Sequence, residues 1–256
     1  MKKIVVFLVM LIALFAGTVA SASCDVVTLM YHNVTTDASR WDDYCIPASS
    51  LEEDIRYFTS NGYVTMTASE LVSQSADSLN GKKVLLLTFD DGYSGWYTDV
   101  LPMLKRYNAK ATMFVVGSFI DCYGYLNRYQ ISEMAQSGLI EFGSHTNYIH
   151  SAQLPTVQRL YNDNYTFWEI VQDIQNSGSI LKSITGTDVT SMSWPYGYYT
   201  NELDEAVKSK LGYKISFSTL YGVNRYNGYE TTPFNRINRE YSTTAESLYS
   251  RAEDRF

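Results

Sequence analysis

Hydrophobic residues in this chain fall into short continuous runs, each followed by a polar cluster and then by a stretch with helical spacing. Val26 to Tyr31, Tyr63 to Met66, Lys83 to Phe89, Ala111 to Val116, Leu139 to Phe142, Val189 to Trp194 and Tyr213 to Ser218 read as strands. Thr232 to Arg239 adds one more near the end. Between the runs, Ser50-Leu-Glu-Glu53 predicts a capping box for a helix reaching about Ser60, and Thr67 or Ser69 starts a helix that ends before Asn80-Gly81. Helical spacing covers Tyr97 to Tyr107, with Pro102 in the first turn where its missing N–H is tolerated, and Arg128 to Gln136. It also covers Leu154 to Thr185, interrupted near Asn162, then Asn201 to Leu211 and a short terminal segment. Runs that are apolar throughout suit strands covered on both faces, and their alternation with helices predicts a parallel sheet with crossover helices. About seven such units in one chain predict a closed or nearly closed β/α barrel.

That architecture gives meaning to the polar residues placed just after the runs: His32, Asp90, Asp91, His145, His150 and Tyr196. In a barrel of this type the carboxyl ends of the strands share one rim, so residues distant in sequence meet there. Val84 to Gly92, VLLLTFDDG, is the most informative of these stretches. Standing alone, Asp-Asp-Gly is an ordinary turn after a strand. Two adjacent carboxylates repel one another, however, and a core strand that ends in both calls for a neutralising cation. His145 and His150, in GSHTNYIH, are too far apart for one helix face but suit a loop curling over a strand end. Two imidazoles and one carboxylate leave coordination positions open for water and substrate, the pattern of a catalytic divalent site. Zinc is the first expectation, with cobalt, nickel, manganese and iron as alternatives.

Thr88-Phe-Asp-Asp-Gly92, Gly143-Ser-His-Thr-Asn-Tyr-Ile-His150 and Trp194-Pro-Tyr-Gly197, in that order, resemble the polysaccharide deacetylase family, the NodB-homology carbohydrate esterases. Met30-Tyr-His-Asn-Val34, Leu101 to Tyr107 and Ala111 to Val115 add smaller echoes, so the similarity runs from about Val27 to Arg239. The resemblance implies a distorted, incompletely closed (β/α)7 barrel, a divalent metal, and removal of acetyl groups from N-acetylated sugars or O-acetylated xylan. It implies Asp91, His145 and His150 as metal ligands, Asp90 as the base that deprotonates water, and a backbone N–H near Tyr196 as an oxyanion donor. This chain departs from the commoner pattern in three ways. Its histidine loop has one extra residue, Ser191-Met192-Ser193 stands where an arginine often precedes the Pro-Tyr pair, and no histidine follows His150. With three histidines in all, His32 remains as the general acid. This arrangement resembles the branch that deacetylates the poly-N-acetylglucosamine intercellular adhesin. Arg236 is expected to support Asp90, with Arg239 as the alternative.

Composition adds an address. Lys2 and Lys3, the apolar run from Ile4 and the ending Ala20-Ser21-Ala22 read as a secretory signal over residues 1–22, with retention as a membrane anchor the alternative. Residues 23–256 then form one deacetylase domain, exported or held at the cell surface. A net charge of −7 argues against a nucleic-acid partner, and nothing implies a protein partner, so a monomer is expected. Cys24, Cys45 and Cys122 form no CxxC pair, leaving at most one disulfide. The expected activity is hydrolysis of acetamido groups on N-acetylglucosamine glycans. An O-acetyl xylan esterase and a silent carbohydrate-binding relative are the alternatives.

Overall fold

The structure, a computed structural model, describes residues 22–150, 165–229 and 232–256. The expected signal segment and the first part of the helix expected from Leu154 lie outside the described residues. Eleven strands are described: β1 (Cys24–Tyr31), β2 (Asn33–Thr35), β3 (Cys45–Pro47), β4 (Tyr63–Thr65), β5 (Lys83–Asp91), β6 (Ala111–Val115), β7 (Ile140–Ser144), β8 (Ser191–Ser193), β9 (Ile215–Tyr221), β10 (Asn224–Tyr226) and β11 (Phe234–Asn238). The helices are α1 (Ala48–Ser60), α2 (Ala68–Ser73), α3 (Ala76–Leu79), α4 (Leu101–Tyr107), α5 (Arg128–Ala135), α6 (Phe167–Thr185), α7 (Asn201–Leu211) and α8 (Ala245–Glu253).

Seven strands pair in parallel around a ring, in the order β1-β5-β6-β7-β8-β9-β11 and back to β1. The central strand β5 makes the closure possible by using its two edges differently. One edge runs against β1 from Lys83 to Phe89. Its other edge meets β4 at Lys83 to Leu85 and β6 at Leu87 to Asp91. The ring is distorted where pairing is sparse: β7 and β8 share a single register pair, and the β9–β11 ladder shifts register between Phe234 and Arg236. β10 adds an antiparallel edge to β1, and β2 with β3 forms a small separate pair beyond the rim. Neither was legible as a strand, because three residues are too few for a period to show.

The barrel core is apolar toward the helices, where Leu29, Leu85, Leu87, Phe89, Met113 and Phe142 are buried with Ile55, Phe58 and Leu104. Burying such side chains contributes about 1.5–3 kcal/mol each. Helix boundaries differ from expectation at several places, among them the start of α4, where Trp96–Val100 forms a separate wider turn before Leu101. α1 begins at Ala48 after Pro47 without a side-chain cap, so Ser50 lies inside the helix and the expected capping box does not form. The helix expected up to Asn80 divides at Gln74, because Ser75 caps a new turn through the Ser78 N–H. Capping boxes do form at Thr67–Glu70, Asn127–Gln130 and Thr166–Glu169. No described helix is long and apolar enough to cross a membrane. All three cysteines are free thiols, so the one possible disulfide is not formed.

Candidate active site

β5 runs two residues further than the sequence pattern suggested and carries both carboxylates on its final positions, with Asp90 opposite Phe114 and Asp91 opposite Val115 on β6. Successive strand residues face opposite ways, so the two neighbouring aspartates serve different surroundings. Asp90 is buried and held by Arg236 from β11: Nη1 donates to Oδ1 at 2.8 Å and Nη2 to Oδ2 at 2.7 Å. Ser193 on β8 completes this cradle, donating from Oγ to Asp90 Oδ2 at 3.2 Å while accepting from Arg236 Nη2 at 2.7 Å. Arg236 Nε is anchored on the Ser218 carbonyl at 2.7 Å. Burial by itself pushes the Asp90 carboxyl up, but the Arg236 guanidinium and the nearby His145 outweigh it and hold Asp90 well below the usual carboxylate range.

Asp91 takes a left-handed backbone conformation, φ 86°, that aims its carboxylate at the two histidines. His145 Nε2 lies 3.5 Å and His150 Nε2 3.2 Å from Asp91 Oδ1. One ligand atom from each of the three residues falls within 4.8 Å of the others. The His145 ring is oriented by its other nitrogen, where Nδ1 pairs with the Ser193 carbonyl at 2.8 Å. A carbonyl can only accept, so Nδ1 carries the proton and Nε2 offers a lone pair. Burial pushes the His145 imidazole down to about 3 and lowers His150 as well, which keeps both neutral. It also pushes the Asp91 carboxyl up to about 6, with the Asp90 charge adding to the rise and His32 opposing it. Neutral imidazoles beside one carboxylate form the donor set a divalent cation takes, so these residues fit the expected metal.

The histidine loop is held from below. Asp173 on α6 accepts the backbone N–H of Asn147 at 2.7 Å and of Tyr148 at 2.9 Å. The Thr146 backbone is also left-handed, φ 69°. His150 is sandwiched, stacked on Tyr196 with centroids 5.1 Å apart and edge-on to Phe119 at 5.8 Å. Tyr196 sits in the Pro195–Gly197 turn with φ 57° and ψ 11°. Five described non-glycine residues have positive φ, and Asp91, Thr146 and Tyr196 are three of them, so backbone strain concentrates at this rim.

His32 follows β1, the strand paired with β5, one residue beyond the Tyr31–Phe89 pair. Its carbonyl accepts the Trp96 indole N–H at 2.7 Å, and its ring meets Tyr44 edge-on at 5.1 Å. A cleft of about 600 Å³ brings together His32, Asp90, Asp91, His145, His150 and Tyr196. Arg236 lies beneath it. Arg239 points elsewhere: its Nε pairs with buried Asp54 at 2.7 Å, so the alternative arginine does not reach Asp90. Ser193 and Asp173 were missed in the sequence. The only signal for Ser193 was its place on an inward position of Ser-Met-Ser, where an arginine was absent. For Asp173 there was none, because its partners are backbone groups on a distant loop.

The rim of this (β/α)7 barrel thus brings a carboxylate and two neutral imidazoles, a set that fits a divalent cation, beside a second carboxylate held ionised by a buried arginine. A model of the polysaccharide deacetylase family matches residues 77–216. The chain belongs to the polysaccharide deacetylase family. Among curated relatives, YxkH of Bacillus subtilis (strain 168), named for the same family, is 31% identical over 195 residues, covering 76% of this chain and 64% of that protein. The poly-beta-1,6-N-acetyl-D-glucosamine N-deacetylase of Escherichia coli (strain K12) is 27% identical over 234 residues, covering 77% of this chain and 34% of that protein. The chain therefore spans less than two thirds of the length of either. Among solved structures, the Streptococcus pyogenes deacetylase PplD matches with a TM-score of 0.75 at 22% identity, covering 89% of this chain and 97% of that one, a likeness of fold.

Proposed function

We propose that this chain is an exported, metal-dependent N-deacetylase that hydrolyses acetamido groups on N-acetylglucosamine glycans to free amine and acetate. The observation that carries the reading is the division of labour at the end of β5. Asp91 faces two neutral histidines, while Asp90, 2.7–2.8 Å from a buried guanidinium, stays ionised beside them. A divalent cation held by Asp91, His145 and His150 would supply Lewis acidity, bringing the pKa of a coordinated water close to neutrality.

The chain's own residues do the rest. Asp90 accepts the proton of the attacking water, and Arg236 with Ser193 keeps its carboxylate ionised and fixed in aim. The deprotonated water adds to the acetyl carbonyl carbon, and the negative charge that develops on the carbonyl oxygen is met by the backbone N–H at Tyr196, in a turn whose strained geometry fixes its direction. His32, which lines the same cleft, donates a proton to the departing amine nitrogen. The C–N bond breaks, acetate leaves, and the glycan keeps a free amine. The name of the Escherichia coli relative supports a β-1,6-linked poly-N-acetylglucosamine as substrate. Zinc is the first choice of metal, ahead of cobalt, nickel, manganese and iron, and the amino-terminal pattern of residues 1–22 supports export.

The test is acetate release from β-1,6-linked N-acetylglucosamine oligomers, compared with peptidoglycan strands, chitin oligomers and O-acetylated xylan. Release from the first, abolished by a chelator and restored by zinc, is expected. Release from acetylated xylan alone would overturn the amide assignment. Sequencing the amino terminus of the exported protein, with Ser23 expected first, tests the address.

A further inference from the structure

Trp41, Tyr44 and Tyr241 expose 36%, 64% and 47% of their surface in one region of the rim, and no step of the proposed reaction uses them. Tyr44 lines the cleft and meets His32 edge-on. Trp41 precedes, and Tyr44 lies within, a tight turn in which Asp42 and Cys45 exchange backbone hydrogen bonds of 2.9 and 3.1 Å. Trp41 and Tyr241 pack with centroids 6.1 Å apart and planes tilted by 32°. Tyr241 follows β11, whose last residues run beside the end of β1, where Arg239 N–H bonds the Met30 carbonyl at 3.0 Å. The rings thus continue the His32 wall of the cleft outward.

These rings are fixed rather than merely exposed. Trp41 Nε1 donates to the Thr35 carbonyl at 3.1 Å, and Tyr44 N–H to Asp42 Oδ1 at 2.8 Å. The segment bearing Tyr241 is tied down from the interior. Arg239 Nη1 donates to the carbonyls of Glu240 and Thr243, while Nε is held by Asp54, which also accepts the Tyr31 hydroxyl at 3.0 Å. A buried ion pair therefore anchors an exposed ring. Asp42, Asp43 and Glu240, all exposed and next to Trp41, Tyr44 and Tyr241 in the chain, add acceptors suited to sugar hydroxyls and amines and hostile to acidic polymers.

We propose that Trp41 and Tyr241, continuous with Tyr44, form a subsite for sugars flanking the reacting residue, one that grips the apolar faces of a neutral or amine-bearing glycan. The proposal rests on the reading of the cleft as a glycan site. Amphipathic rings held rigid lose little entropy on binding, and sugar faces present the C–H groups that such rings accept. The platform adds affinity only for chains long enough to leave the cleft.

Calorimetric titration of the whole protein with N-acetylglucosamine oligomers of two and of six sugars tests this, using wild type, Trp41→Ala, Tyr241→Ala and Trp41→Phe, each checked for unchanged thermal unfolding. Wild type should bind the six-sugar chain more tightly than the two-sugar chain. Either alanine variant should lose roughly tenfold in six-sugar affinity with the two-sugar value unchanged, and Trp41→Phe should retain most of it. Equal six-sugar affinity in wild type and Trp41→Ala, or no length dependence in wild type, would overturn the subsite. A dimer seen by sedimentation and lost in Trp41→Ala, with six-sugar binding unaltered, would assign the rings to a second copy and overturn it as well. Acetate release by the same wild-type protein reports separately on the deacetylase reading: length-dependent binding without any release leaves the subsite standing and removes the activity.

Discussion

Arg236 illustrates how one side chain sets the chemistry of another. Its bidentate bond is what overrides the burial of Asp90, since that burial by itself favours the protonated acid. In Arg236→Gln the Asp90 pKa should therefore rise, and a general base with a higher pKa is protonated over more of the acid range. The acid limb of kcat/KM against pH is expected to move to higher pH, with turnover at neutral pH falling by about 10- to 100-fold and metal content unchanged. A profile that falls in height without moving would mean that Arg236 supports the fold and not the base. His32 is placed differently, its ring edge-on to Tyr44 and its charge felt by Asp90 and Asp91 across the cleft. His32→Ala is expected to cut kcat by about 10²–10⁴-fold while metal stoichiometry, read by elemental analysis, stays the same. Turnover equal to wild type would remove His32 from proton transfer.

At the scale of the element, the site depends on how closely β7 approaches its neighbours. Gly143 precedes Ser144 and His145, and a Cβ built there would stand 2.5 Å from the Phe114 ring and 2.7 Å from Ser191 Oγ. Those side chains are in the interior of a closed ring, where neither can swing away. Gly143→Ala should therefore cost about 1–3 kcal/mol of stability by overpacking, seen as a lower denaturant midpoint, and should weaken metal binding because β7 delivers His145. Full stability in that variant would show that the β6–β7–β8 wall is more yielding than its packing indicates. α6 plays the complementary part. Its Asp173 accepts two consecutive backbone N–H groups of the histidine loop, a capping role performed across space and not within one helix.

For the molecule as a whole, the proposed cation acts as a clip between the end of β5, the end of β7 and the loop beyond it. Ligand that binds only the folded state adds stability by mass action, about 2.7 kcal/mol at a hundredfold excess over Kd. Zinc added to chelated protein is thus expected to raise the unfolding temperature by several degrees, on the order of 2–4 °C per kcal/mol for a chain of this size. An unchanged unfolding temperature in calorimetry would count against a site shared by these three residues. The Asp54–Arg239 pair links α1 to the tail of β11 in the same global sense. Asp54→Ala strands a buried guanidinium, so a loss of about 3–5 kcal/mol is expected in equilibrium unfolding, far more than for an exposed pair such as Arg106–Glu52.

The sequence by itself determined the alternation of strands and helices, the parallel barrel, and the set of polar residues at strand ends. Those features are written in local periodicity and in the types of residue that end each run, as at VLLLTFDDG. Tertiary structure alone decided between Arg236 and Arg239. The two are three residues apart on one segment, and only the register of β11 in the ring tells which one faces Asp90 and which one Asp54. It also decided the parts of Ser193 and Asp173, and the meeting of Trp41 with Tyr241, contacts made between residues 26 to 200 positions apart. Short-range patterns record what a residue does to its own strand or helix. Which distant group it faces is fixed only when the ring closes.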